Sequence, residues 1–163
     1  GKVLEGYAQG HGKDSLYQGG IHVPLFIAGP GVVNPGRSVS ELVDVTDIYA
    51  TVLQMAGAQP PTTTPEGKPI DGRSLVPHLE SEDAGAHRSF ALAELLSSQA
   101  NTEGRGRAIR DERYKLITWK NGSSAFFDLQ TDPLESTDLL QGPLTESAQK
   151  AYDGLVLKSE SMQ

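Results

Sequence analysis

Val23-Pro24-Leu25-Phe26-Ile27, closed by Gly29-Pro30-Gly31, is the stretch on which the fold turns. It is apolar without alternation, the pattern of a strand buried on both faces, as in a parallel sheet covered by helices. One strand of that kind cannot build a sheet, so its neighbours are expected elsewhere in a longer chain. The residues before it point the same way. Gly1 to Gly20 is rich in glycine and shows neither a helical nor a strand period, an uncommon lead for a compact domain unless it serves a function. The sequence also starts without Met. It is therefore expected to be the later portion of a larger α/β domain, with a second, smaller unit after it.

Downstream of the run, Ile48, Tyr49, Val52, Leu53 and Ala56 recur at helical spacing and Gly57 stops them. Asp44 and Thr46 are the candidate N-caps. Gln59 to Pro69, with four prolines and three threonines, is a loop. Asp71-Gly72-Arg73-Ser74-Leu75 then reads as a turn into a short helical piece ending near Leu79. The composition becomes charged and small around Glu80 to Ala86, which sets a boundary between residues 1–84 and 85–163. Beyond it Phe90–Leu95, Arg107–Arg110, Tyr114–Trp119 and Ala125–Leu129 read as antiparallel strands, with Asn121-Gly122 as the hairpin turn between the last two. Leu144 to Leu157 closes the chain as a helix with Leu144, Ala148, Tyr152 and Leu155 on one face. A four-stranded antiparallel sheet with that helix against it, a small α+β subdomain, buries both apolar faces.

Composition limits the chemistry. The 163 residues carry a formal net charge of −7, which opposes broad electrostatic attraction to nucleic acid or an anionic membrane, so any anion must be bound locally. There is no cysteine, which excludes disulfides, thiolate metal sites and a cysteine nucleophile within these residues. No apolar run approaches the length of a membrane span. Gly10-His11-Gly12-Lys13-Asp14-Ser15 invites comparison with a phosphate-binding P-loop and fails it. Tyr7 stands where that loop needs a glycine, and Asp14 where it needs Ser or Thr. The histidines His11, His22, His78 and His87 lack metal-ligand spacing, and there is no G-x-S-x-G nucleophile elbow. On these grounds alone Lys13 is a solvated lysine in a glycine loop.

The run from Gly12 to Leu25, Gly12-Lys13-Asp14-Ser15-Leu16-Tyr17-Gln18-Gly19-Gly20-Ile21-His22-Val23-Pro24-Leu25, resembles the sulfatase-family segment G-K-x-x-x-(Y/F/W)-E-G-G-(I/V/M)-R-x-P. Val43 to Gly57 is similar to that family's V-x-x-x-D-(I/L)-x-P-T-(I/L)-L-x-L-A-G helix, and Asp71 to Leu75 to its D-G-x-S-L. Arg107 to Ile117 and Phe127 to Glu135 resemble R-x-(I/V)-R-x-x-x-Y-K-(Y/L)-I and (Y/F)-D-L-x-x-D-P-x-E near the family's C-terminus. The five pieces stand in the family's order over most of the chain.

The resemblance implies the end of an alkaline-phosphatase-like α/β catalytic domain over residues 1–84, then the small subdomain over 85–163. It also implies a chemistry located mostly elsewhere. Sulfatases cleave sulfate esters with a formylglycine made from Cys or Ser in a C-x-P-x-R or S-x-P-x-R motif, and hold a divalent cation, usually calcium. The nucleophile and the metal ligands are expected upstream of this segment, with no metal ligand in it. The one catalytic position that carries over is Lys13, matching the lysine that contacts the sulfate group. His11, two residues away, is a candidate substrate-binding residue. The implied partners are a sulfated small molecule or glycan and the N-terminal catalytic portion of the same protein. The resemblance also places such proteins in the periplasm, outside the cell or in lysosomes. Tyr17, Gly19 and Gly20 are expected to shape the turn, and Asp47 to cap or brace its helix. Gln18 stands for the family's usual Glu and His22 for its usual Arg, so a carboxylate–guanidinium pair expected there is absent. A related phosphodiester or phosphonate monoester hydrolase, and a non-catalytic binding domain, are the alternatives.

Overall fold

The computed structural model describes residues 6–96 and 105–162. They form two compact units: the residues before Leu25 together with those from Phe90 on, and Leu25–Ser89.

The first unit is built on a four-stranded antiparallel meander of β1 (Ala91–Leu95), β2 (Gly106–Arg110), β3 (Tyr114–Trp119) and β4 (Ser124–Asp128), in that spatial order. Turn chemistry sets its registers. Asp111 Oδ1 accepts the amides of Arg113 and Tyr114 at 2.8 and 2.5 Å and so closes the β2–β3 turn. Gly122, at φ +88°, supplies the left-handed residue of the β3–β4 turn, while Asn121 Oδ1 accepts the Ser123 amide at 2.9 Å. β4 is an edge strand, and Asp138 Oδ1 accepts its outward Phe126 amide at 3.0 Å. The strand bounds lie within a residue or two of those expected from sequence.

Strand alternation divides the side chains between two covered faces. On one, Ile109, Tyr114, Leu116 and Phe126 pack with Ala148 and Leu155 of α1 (Glu146–Glu160), the expected C-terminal helix and the expected helix face. Thr145 caps that helix by accepting the Ala148 amide at 3.3 Å. On the other, Ala108, Ile117, Ala125 and Phe127 pack against Leu16, Tyr17 and Ile21 from the glycine-rich lead. The lead thus covers the second face of the sheet, with one turn of helix, α2, at Gln18–Ile21.

The second unit holds the helices α3 (Asp47–Met55) and α4 (Val76–Glu80). Asp47, fully buried at the start of α3, organises it. Its carboxylate accepts the Asp44 amide at 2.7 Å and the Arg73 amide at 2.8 Å, meets His87 Nε2 at 3.1 Å and pairs with the Arg88 guanidinium. One turn on, Thr51 Oγ1 donates to the Asp47 carbonyl at 2.7 Å and accepts the Leu75 amide at 2.8 Å. A Cβ on Gly72 would stand 2.4 Å from the Thr46 carbonyl oxygen, so only glycine lets this segment approach so closely. Asp47 therefore braces its helix as expected.

The run Val23–Ile27 differs from expectation. It is in neither strand nor helix, and Val23 and Phe26 are 72% and 91% exposed. Pro24 has no N–H to give a ladder, and no described strand pairs with this run.

Candidate anion-binding loop and its buried support

Lys13 lies in a turn between His11 and Ser15, exposed, and is followed by Asp14 at φ +63°. The loop is closed on itself where Ser15 Oγ donates to the Gly12 carbonyl at 2.6 Å. It lies directly on the glycines of α2. A Cβ on Gly20 would stand 2.4 Å from the Ser15 carbonyl oxygen and 2.6 Å from that of Gly12, and one on Gly19 would stand 2.5 Å from that of His11. Any larger residue at either place would push the loop away, which is the physical reason for two glycines there.

His11 stacks on Tyr17, with ring centroids 3.5 Å apart and planes 7° from parallel. Tyr17 in turn meets Phe127 edge-on at 5.9 Å, which fastens the stack to the sheet. His11 Nδ1 is buried with no hydrogen-bond partner among the described residues. Burial lowers the His11 pKa, against the opposing pull of Glu135 and the Leu134 carbonyl. A neutral imidazole offers a ligand a hydrogen bond rather than a charge. Burial also raises the Tyr17 pKa, with Glu135 and Asp138 adding to it.

Beneath the loop is a cluster of buried charge. Lys115 on β3 and Glu135 are both wholly buried, with Nζ and Oε1 2.5 Å apart. Glu135 Oε2 accepts the Gln18 amide at 2.5 Å, and Lys115 Nζ also donates to Gln18 Oε1 at 3.4 Å. Glu135 itself sits at φ +56°, a left-handed conformation uncommon for a residue with a Cβ. Desolvation depresses the Lys115 pKa to about 8, the facing Glu135 carboxylate offsetting only part of it. Gln18, Lys115 and Glu135 come from three of the sequence motifs, and the structure brings all three together. Only strand alternation hinted at this. Lys115 falls between Leu116 and Tyr114 but on the face of Ile117, and burial follows once that face is covered.

Among the described residues no group of three or more His, Asp or Glu side chains is placed to hold a metal ion. The second unit has a cleft of about 250 Å³ lined by Leu25, Phe26, Ile27, Ile48, Val52 and Met55. That lining is apolar and gives an anion no charge to pair with.

Residues 8–160 match the family model described as N-sulphoglucosamine sulphohydrolase, C-terminal. The chain belongs to the sulfatase family, as a C-terminal portion. Arylsulfatase K of Xenopus laevis is 33% identical over 148 residues, which are 85% of this chain and 26% of that protein. Among solved structures, the phosphonate monoester hydrolase SpPMH from Silicibacter pomeroyi is 25% identical with a TM-score of 0.67, over 93% of this chain and 30% of that one. A protein solved in complex with its substrate D-glucosamine-2-N,6-O-disulfate is 26% identical with a TM-score of 0.56, over 72% of this chain and 23% of that one. The chain spans about a quarter of the length of the curated relatives it matches. Its fold is that of the end of an alkaline-phosphatase-like α/β domain, with the four-stranded antiparallel sheet and C-terminal helix.

Proposed function

We propose that this chain is the C-terminal portion of a sulfatase that hydrolyses sulfate esters, and that it supplies Lys13 to an active site completed by the rest of the protein. The observation that carries the reading is Lys13 itself. It is an exposed ammonium on a loop packed against two glycines and anchored to a buried ion pair, in the sulfatase family. An ammonium held in place beside a sulfate offsets charge that shifts onto oxygen as the S–O bond breaks, and a preorganised donor does so without reorganisation. His11, two residues earlier, is the candidate to offer the same substrate a hydrogen bond from its imidazole.

The formylglycine nucleophile and a divalent cation such as calcium come, in this reading, from outside these residues. No metal-holding group fits among the described side chains, so no step through the metal is assigned to them. Residues 1–84 are then the end of the catalytic α/β domain and 85–163 the subdomain. The exposed apolar side chains of Phe26, Val52 and Met55 are the contact surface for the preceding catalytic portion. The substrate class is a sulfated small molecule or glycan. The protein solved with a disulfated glucosamine supports the glycan.

A second reading, a phosphonate monoester hydrolase, is favoured by the likeness to SpPMH over 93% of the chain. Assay of the complete enzyme on an aryl sulfate and an aryl phosphonate monoester separates the two. Sulfatase action predicts a higher kcat/KM on the sulfate by at least about tenfold, roughly 1.4 kcal/mol of transition-state discrimination. The reverse preference would replace this reading with the second. The 163 residues alone are expected to turn over neither ester, because proximity and metal activation reside elsewhere.

A further inference from the structure

We infer that Glu135 is a positioning residue for Lys13, acting through the Gln18 amide, α2 and its two glycines. The inference rests on the reading that Lys13 contacts the sulfate.

Glu135 has one carboxylate oxygen on the Lys115 ammonium and the other on the Gln18 amide, both at 2.5 Å and both buried. It thereby joins β3, at the centre of the sheet, to the first residue of a four-residue helix 117 positions away in sequence. The amide it accepts is one of the orphan donors at a helix start, which would otherwise be left without a partner in the interior. From Gln18 the constraint passes to the loop by direct contact. The Gly20 and Gly19 backbones lie against the carbonyls of Ser15, Gly12 and His11, with no room for a methyl group between. The Ser15 hydroxyl locks Gly12, and Lys13 is the next residue. Each link is hydrogen-bonded or in van der Waals contact, so a displacement at Gln18 is carried to Lys13.

Stability alone is a weak account of this arrangement. A buried ion pair is often no more stable than well-packed apolar residues of the same volume. What an apolar pair would not provide is a second oxygen aimed at the Gln18 amide. The left-handed backbone of Glu135 points to the same conclusion, because the conformation is unfavourable by itself and places the carboxylate between the two donors. Gln18 also completes the cluster in a way a carboxylate would not. Its neutral Oε1 adds an acceptor to Lys115 without setting a second negative charge beside Glu135.

The test is a double-mutant cycle in the complete enzyme, with kcat/KM on an aryl sulfate as the readout and a melting curve for each variant. Glu135→Gln replaces one accepting oxygen by an NH₂, so either Lys115 or the Gln18 amide loses its acceptor. It is expected to lower kcat/KM by about 10- to 100-fold, the scale of a small misplacement of a catalytic group. In a Lys13→Ala background the same change is expected to cost no more than about threefold, because the group it positions is gone. A merely structural role would lower stability but leave the two losses multiplying. Should Glu135→Gln not accumulate as folded protein, Gln18→Pro carries the same cycle, since it removes the N–H that Glu135 accepts at the first helical position and leaves the Lys115–Glu135 pair in place. Losses that multiply in full, with Lys13→Ala itself impaired, would overturn the positioning role and leave the sulfatase reading standing. Wild-type kinetics in Lys13→Ala would overturn the positioning role together with the reading that Lys13 contacts the sulfate.

Discussion

Lys115 should titrate in a way no surface lysine does. Its pKa is depressed to about 8 from an ordinary 10.5, chiefly by burial. Between those values the unfolded chain keeps a proton that the folded chain has released, so this group's contribution to stability rises with pH across that window. Unfolding free energies of wild type and of Lys115→Met, measured from pH 7.5 to 10, should differ by an amount that shifts in favour of wild type above about pH 8. A difference flat in pH would mean that the ammonium is solvated. The sequence could not show this burial. Gln18, Lys115 and Glu135 lie far apart along the chain, and a lysine in a strand reads as the solvent face until something covers it. Here the cover is the glycine-rich lead, which has no periodic pattern to announce that it packs. Lys13, by contrast, was legible only through resemblance, and its surroundings came from the structure.

At the scale of elements, the strands were readable because their ends carry their own chemistry. Asn121-Gly122 and Asp111 fix the turns, and period-two alternation then fixes which side chains face α1. The helix α3 was readable from its apolar spacing, but its partner was not. Thr51 and the Leu75 amide meet across 24 residues, and nothing local marks Thr51 as an acceptor. Thr51→Val keeps the shape and leaves that buried amide without a partner, at a cost of about 1–3 kcal/mol. Hydrogen exchange should show the Leu75 amide losing its protection in this variant. Unchanged protection would mean that Thr51 is not its acceptor. Val23–Ile27, whose partner strands were expected outside these residues, is in neither strand nor helix here. An apolar run specifies burial, but a strand needs a partner ladder, and a proline at its second position supplies one donor fewer.

The whole molecule combines a self-contained sheet and helix with an apolar face left open. The first unit buries both faces of its sheet, one of them under the lead that carries Lys13. The second exposes Phe26, Val52 and Met55, the surface proposed to meet the preceding catalytic portion. In the reading proposed above, the chain contributes position and one charge to a reaction whose other parts belong to the rest of the protein. The most direct test of that claim is steady-state kinetics of Lys13→Ala and Lys13→Arg in the complete enzyme, beside their melting curves. Loss of one preorganised electrostatic donor should lower kcat/KM on an aryl sulfate by roughly 10²–10³-fold. Arginine should restore only part of it, because a planar fork does not place its charge where an ammonium does. The melting temperature should stay within a degree or so of wild type, since an exposed side chain supports little packing. Full stability with crippled turnover is the predicted result, and wild-type kcat/KM in Lys13→Ala would contradict the account.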